Sequence, residues 1–415
     1  MYEPHFIASH GFVLSGATLA ELSRAEMELS RLEARVELDR SREALSQNLA
    51  RLEAIATLRI DGEKPLIEDL LRISSRYEIM NLENIEDGGE GLRIDEFLAL
   101  GQHGFSRSAL DAFKYLETIK WIVRTVDESF RFTPDFLLDI HSMCLFGNRA
   151  AQSGIAFRSR PHSCGKASRT VSMSYLPPDP SRVLDFIDDL CLFENRNLYS
   201  PIAQAALAHF QFEGIKPFKT ALDRTGRAMS HAIMRRRGFF RKTVVPIALM
   251  PAIDTRAHAI RLLPYQRGSE MQERSKAHVL DEWVRFCAHS SHVAAMAMRT
   301  HLETCTALER HWRNRMGKIS KGSAVEELIL AFIGNPLMTV SHASRLIGRG
   351  ISATNDAMNR LLQEGIVHCE ELPGARNRLF VADESIVLLD RMERCMTQKD
   401  PISRDDALFD FSGAV

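Results

Sequence analysis

The sequence predicts a mainly α fold that closes in a helix–helix–β-hairpin unit. Three observations carry this. Apolar residues recur at helical spacing through most of the chain; two helical stretches flank a proline-containing loop within 205–238; and the last third reads helix, helix, strand, turn, strand. At 415 residues the chain has room for two or three domains. A hydrophobic content of 45% supports full cores, and a formal net charge of -1 leaves only local basic surfaces to attract nucleic acid or anionic membranes. The 7 cysteines occur singly, without a CxxC pair. The start, MYEPHFIASHGF, lacks the basic and apolar segments of a signal peptide, and no run is apolar enough to span a membrane. A reduced, cytoplasmic chain without membrane spans or a structural metal is therefore expected.

From about Thr18 to Leu58 the pattern predicts a charged, amphipathic helix. Leu19, Leu22, Met27, Leu29, Leu32 and Leu38 recur among Glu and Arg with no proline between them, so one face should pack on the core rather than form a coiled coil. Gly62 and Pro65 end that helix. The glycine-rich, acidic stretch 84–93 reads as a loop. Helices are predicted at Ser108–Arg124 and at Pro134–Leu145, the second with a Thr133 cap and proline at its first position. His141 falls on the apolar side of that helix and reads as a packed, hydrogen-bonded residue. Alternation from Thr170 to Leu176, closed by Pro177 and Pro178, predicts a short strand. Further helices are expected at Val183–Phe193 and Val279–Ala297, with Trp283 and Phe286 in the core and Thr243–Ala252 buried. His289, His292 and His301 lack ligand-spaced partners.

The central stretch, AALAHFQFEGIKPFKTALDRTGRAMSHAIMRRRG, reads as helix, loop, helix. Pro217 cannot continue the first helix, so the chain leaves it near Lys216. Asp223 to Thr225 offers capping chemistry, Gly226 allows close backbone approach to a ligand, and a helix from about Arg227 would present its N–H groups as an anion site.

These residues resemble the signature of Fic domains, a His-Pro-Phe loop followed by Asp/Glu-Gly-Asn-Gly-Arg and a second arginine. Pro217, Phe218, Asp223, Gly226 and Arg227 match. Lys216 stands at the histidine position, Arg224 and Thr225 at Gly-Asn, and Ser230 at the second arginine, with about three extra residues at Lys219–Ala221. Thr57, Asp61 and Gly62 resemble the family's inhibitory motif, with Asp in place of Glu. Gly154, Phe157, Arg158, Gly165 and the exit from Tyr175 to Pro178 resemble its flap, a small β-hairpin that seats a target protein segment by main-chain pairing. The resemblance implies a Fic-like helical bundle. It also implies ATP and Mg²⁺ as cofactors if nucleotide binding is retained, with Asp223 on the metal and Arg224, Thr225, Gly226 and Arg227 around phosphate. Lys216 is a poor general base, because an ordinary lysine, with a pKa of about 10.4, is almost wholly charged at neutral pH.

The C-terminal order is that of a winged helix-turn-helix, and it resembles the winged domain attached to many Fic proteins. Its second helix, ISATNDAMNRLLQEG, would offer Ser352, Thr354, Asn355, Asn359 and Arg360 to the major groove. Arg376 and Arg378 on the wing, with Arg345 and Arg349, would meet phosphates. Acidic Asp356, Glu364, Glu370 and Glu371 dilute that field, and a protein-binding role is the alternative. The expected organisation is an N-terminal helical region with the inhibitory-like segment (1–95), a Fic-like core (96–300), a helical connector (301–324), the winged unit (325–395) and a tail (396–415). Two functions are expected to compete: a DNA-binding regulator or pseudoenzyme with a degenerate motif, and a divergent adenylyltransferase moving AMP from ATP to Ser, Thr or Tyr of a target. A helical scaffold is a third, and a homodimer is the assembly considered.

Overall fold

The computed structural model describes residues 4–38, 42–101, 104–150, 154–161, 176–241, 243–253, 255–262, 273–371 and 378–397. Ahead of the central loop lie α1 (Gly16–Leu38), α2 (Arg42–Ile60), α3 (Ile67–Glu86), α4 (Ile94–Ala99), α5 (Arg107–Thr125), α6 (Pro134–Phe146) and α7 (Val183–Glu194). The loop joins α8 (Pro201–Ile215) to α9 (Leu222–Arg236), and α10 (Leu249–Ile253), α11 (Thr255–Leu262) and α12 (Glu273–Met316) follow.

The bundle is built round α8. Every residue from Ile202 to Ile215 is buried, as a helix without a polar face must be in a water-soluble core. Ser200 caps its start by accepting from the Ala203 N–H, with Pro201 at the first helical position. Its polar residues are placed rather than tolerated. The Gln204 amide donates to the carbonyls of Phe193 (2.9 Å), Glu194 (3.2 Å) and Arg196 (2.6 Å), and Gln211 donates to His5 O at 2.8 Å. The sequence-predicted helices at 108–124, 134–145 and 183–193 are α5, α6 and α7, and Thr133 caps α6 as expected. The buried segment at 243–252 also holds, with Val244, Val245, Ala248 and Leu249 in the core.

Within the stretch 18–58 the described residues form α1 up to Leu38 and α2 from Arg42. Leu22, Ala25, Leu29, Leu32 and Val36 of α1 are buried on a face that lies along α12. By contrast α2 is buried on nearly all sides from Ala44 to Leu58, between α5 and the C-terminal unit. A continuous apolar pattern does not reveal that its two halves serve different partners. Helix α12 runs 44 residues to Met316, into the stretch expected as a helical connector, and Trp312 near its end is fully buried, its indole donating to Glu384.

The C-terminal unit contains α13 (Ala324–Gly334), β1 (Leu337–Met338), α14 (Val340–Ile347), α15 (Ile351–Gln363), β2 (His368–Glu371), β3 (Arg378–Val381) and α16 (Asp383–Thr397). Its sheet is antiparallel in the order β1-β3-β2, with Leu337 opposite Val381 and Glu371 opposite Arg378. The two-residue β1 and the whole of α16 were not expected from sequence. Helix α2 holds this unit by its far end: Asn48 donates to Ile333 O at 3.1 Å, and Arg51 donates to Gly334 O and to Asn335 Oδ1 (3.3 Å). Arg72 of α3 adds a two-pronged pair with Glu370 of β2 at 2.8 and 3.1 Å. No described helix is long and apolar enough to cross a membrane.

At the α2–α13 crossing a Cβ on Gly334 would lie 2.3 Å from Ala44 Cα. Gly334→Ala should therefore lower stability to chemical denaturation by about 1–3 kcal/mol. Gly11→Ala, where a Cβ meets nothing within 4 Å, should change it little.

Candidate functional site

Both ends of the central loop are held in left-handed backbone. Lys216 closes α8 with φ 47° and ψ 62°, and Ala221 precedes α9 with φ 49° and ψ 24°. For residues with a Cβ this conformation costs roughly 1–2 kcal/mol each, so the surroundings must impose it. Arg158 does much of that. Its Nε donates to Lys216 O at 2.8 Å, its Nη2 to Pro178 O (2.6 Å) and Ile215 O (3.3 Å), and its own N–H to Pro217 O at 2.9 Å. A guanidinium at the C-terminal end of α8 also suits the helix dipole. Phe218 anchors the loop below, stacked on His141 at 3.6 Å between centroids and facing Phe157 at 5.4 Å. His141 meets Thr225 Oγ1 at 3.0 Å; burial, and then Arg224, push its pKa down to about 3, so it is a neutral packing residue, as the sequence suggested.

The helix after the loop begins at Leu222, earlier than expected, so Asp223, Arg224, Thr225 and Gly226 lie in its first turns rather than ahead of it. Thr225 is fully buried, its hydroxyl donating to Ala221 O at 2.7 Å. Gly226 serves packing between helices: a Cβ there would lie 2.8 Å from the His209 ring of α8.

Arg224 and Arg227, one turn apart on α9, converge on Asp61 just beyond α2. Arg224 Nε donates to Asp61 Oδ2 at 2.9 Å, and Arg227 Nη2 donates to Oδ1 at 2.5 Å and to Thr57 O at 3.2 Å. Arg224 also has Asp111 of α5 within 3.5 Å. Burial opposes both guanidinium charges, but Asp61, with Asp111 beside Arg224 and Asp223 beside Arg227, outweighs it and holds their pKa values above the ordinary range. Gly62, at φ 87°, turns the chain out of α2 and fixes where Asp61 points, while the Thr57 hydroxyl donates to buried Glu53 at 3.2 Å. Among the described residues Ser230 meets no carboxylate; its hydroxyl donates to Gly226 O at 3.0 Å. Asp61 is thus held from α9 by Arg224 and Arg227. Sequence reading placed Arg224 around phosphate and did not foresee its pairing with Asp61.

Three further residues, none of them singled out from sequence as site residues, complete the centre. Glu213 lies 3.6 Å from Lys216 Nζ and 3.7 Å from His209 Nε2. Facing Glu213, Asp223 has its pKa pushed up to about 6, first by the Glu213 charge and then by burial. His209 is pushed down to about 3 by burial and by Arg227. Asp111 completes the group. Among the described residues no cluster of three or more His, Cys, Asp or Glu stands ready for a metal.

In the C-terminal unit Ser352 and Arg360 are exposed, and Asn355 and Asn359 are half-buried. Thr354, expected on the outward face, is fully buried and donates to Gly350 O at 3.0 Å, because it falls on the turn of α15 that faces α13 and α14. Arg360 reaches back to the carbonyls of Met316 (3.4 Å) and Lys318 (3.1 Å), and Arg349 is paired with Glu327. Arg378 is exposed beside Asn359, with its guanidinium over Phe380. Of the flap residues, Phe157 and Arg158 support the loop from below. Gly165, Tyr175 and all of the strand expected at 170–176 except Leu176 lie outside the described residues, as does Arg376.

The Fic/DOC family model matches residues 131–234. No curated protein matches the chain. Among solved structures, a Fic family protein from Desulfovibrio desulfuricans G20 superposes with a TM-score of 0.50 at 16% identity, over 92% of this chain and 98% of that one. Fic-1 from C. elegans gives 0.45 at 18% identity, over 69% of this chain and 74% of that one. A Fic domain containing signaling protein from Bacteroides thetaiotaomicron gives 0.37 at 15% identity, over 60% and 95% respectively. The loop, the helices that carry it and the family match coincide: residues 131–234 match the Fic/DOC family model within a chain of Fic-like fold.

Proposed function

We propose that the chain is a regulator that binds DNA through its C-terminal unit, and whose Fic loop admits a nucleotide only in competition with Asp61. The observation that carries this is the Asp61 carboxylate shared by Arg224 and Arg227, the two cations on α9 suited to phosphate. With both engaged, a phosphate must displace an internal carboxylate before it meets their charge. Lys216 supports binding over transfer. An ammonium 3.6 Å from Glu213 is matched by a carboxylate and holds no lone pair with which to take a proton. Asp223 and Glu213 fit a divalent cation chemically, since two facing carboxylates repel until one is protonated or a cation lies between them. A bound cation there would supply charge to offset phosphate.

One observation favours the alternative, a divergent adenylyltransferase. The pairing of Asp61 with two arginines of α9 is a restraint, and a restraint implies something to restrain. Both readings are separated by the same variant. Asp61→Ala should lose stability by about 3 kcal/mol, the range for breaking a partly buried ion pair from one side. It should also bind ATP with Mg²⁺ at least tenfold more tightly than the native chain in calorimetry. With labelled ATP neither protein should pass label to itself or to added protein. Transfer by Asp61→Ala that disappears on adding Asp223→Ala would instead establish the transferase.

The Asp223–Glu213 pair has a signature in stability. Because the Asp223 pKa rises to about 6 on folding, the native state binds more protons than the unfolded chain between about pH 4 and 6, and stability falls as pH rises through that window. Asp223→Asn should therefore raise Tm at pH 8, with the gain vanishing below about pH 4.

We read the arrangement of α13, β1, α14, α15, β2 and β3 as a winged helix-turn-helix, on the element order and the β1-β3-β2 sheet. Arg345 of α14 and Arg378 of β3 are among its exposed cations. Binding to duplex fragments should weaken steeply with salt. Arg345→Ala and Arg378→Ala should each reduce the slope by about one while weakening all sequences alike. Salt-independent binding, or none, would leave a protein-binding role for this unit.

A further inference from the structure

Buried Thr354, Ala357, Met358 and Leu361 fix the inner face of α15. On its other sides Ile351, Ser352 and Asp356 are exposed, and Asn355 and Asn359 are half-buried. Two side chains suited to base edges are already engaged. Arg360 is drawn back to the carbonyls of Met316 and Lys318, and Asn359 Oδ1 accepts from Arg378 Nη2 at 3.4 Å. Asn355 makes no side-chain hydrogen bond among the described residues. Ile351, the first residue of α15, is 55% exposed and is not packed on the core. A lone exposed apolar residue elsewhere on a surface needs no account. Here it does, because the N-terminal residues of a recognition helix are the ones that meet base edges.

The first two turns of α15 thus offer the bases an apolar group, a hydroxyl, an amide and a carboxylate, but no cation. Guanine shows two acceptors in the major groove, which suit a donor pair and oppose the acceptor-only Asp356. An asparagine amide matches adenine, and thymine alone carries a methyl group for an apolar side chain. Ile351 and Asn355 share one side of the helix, about 6 Å apart along its axis, against about 3.4 Å between base pairs. Their contacts therefore fall about one to two base pairs apart. We propose, resting on the DNA reading of this unit, that Ile351 is a specificity-determining residue. It packs on the 5-methyl group of a thymine, beside an adenine held by Asn355, and the unit selects sites in which A·T pairs occupy both positions.

The test selects binders of the full native chain from a pool of random duplexes, then replaces each thymine of the enriched site in turn by deoxyuridine, which removes only the methyl group. At one thymine the native chain should lose about fourfold in affinity, the worth of one buried methyl-sized group. Ile351→Ser should bind thymine and uracil there alike. Ile351→Ala makes the same test if the serine variant fails to fold. Asn355→Ala should stop distinguishing A·T from G·C at a nearby pair while keeping the loss on deoxyuridine. Salt-sensitive binding that no deoxyuridine weakens would overturn the assignment and leave the DNA reading standing. So would an equal loss in the native chain and the Ile351 variants. No salt-sensitive binding to any duplex would remove both, and exposed Ile351 would then belong to a protein contact.

Discussion

The Asp61 carboxylate, held between two arginines of another helix, is the contact through which the parts of this molecule depend on one another. Its side chain is 13% exposed, against 10% for Arg224 and 3% for Arg227. Ions this sheltered are little screened by salt, and each would be left stranded by loss of the other. The pair therefore works more as a constraint than as a source of net stability. It fixes the end of α2 against the first turns of α9, and with it the spacing between the N-terminal helices and the loop. The left-handed residues at both ends of that loop can persist only because Arg158, Phe218 and this bridge over-determine their surroundings.

The same helix that ends at Asp61 begins on the C-terminal unit. Asn48 and Arg51 satisfy carbonyls at the end of α13, which a helix leaves without intrahelical partners. Halfway along α2, buried Glu53 accepts from His231 of α9 at 2.9 Å and from the Ala248 N–H at 2.9 Å. α2 is thus fastened at three levels, and none of these attachments is a flexible surface pair. One helix therefore touches both the loop helices and the C-terminal unit.

Much of this was legible in the residues and some was not, for identifiable reasons. Helices with caps and a single apolar face, such as α5, α6 and α7, follow from local chemistry, and Thr133-Pro134 announces its own helix start. The chain's exit from α8 was legible because Pro217 cannot continue a helix. Register in three dimensions was not. Nothing local says that α1 belongs to α12 while α2 belongs to α5 and α13, since both halves present the same apolar spacing. Glu213 and His209 passed unremarked because a buried helix gives no polar face on which an acid stands out. Thr354 illustrates the converse: a polar residue placed by its type on the outward face is turned inward by helical phase.

The two arginines on Asp61 differ in what else they meet. Arg224 is shared with Asp111 of α5, while Arg227 also donates to Thr57 O near the end of α2. One carboxylate thus meets two guanidinium groups, and Asp111 and Asp223 supply further negative charge beside them. Loss of either arginine would leave Asp61 with one partner. Loss of Asp61 would leave two sheltered cations short of a counter-charge, so the carboxylate carries more of this contact than either arginine does.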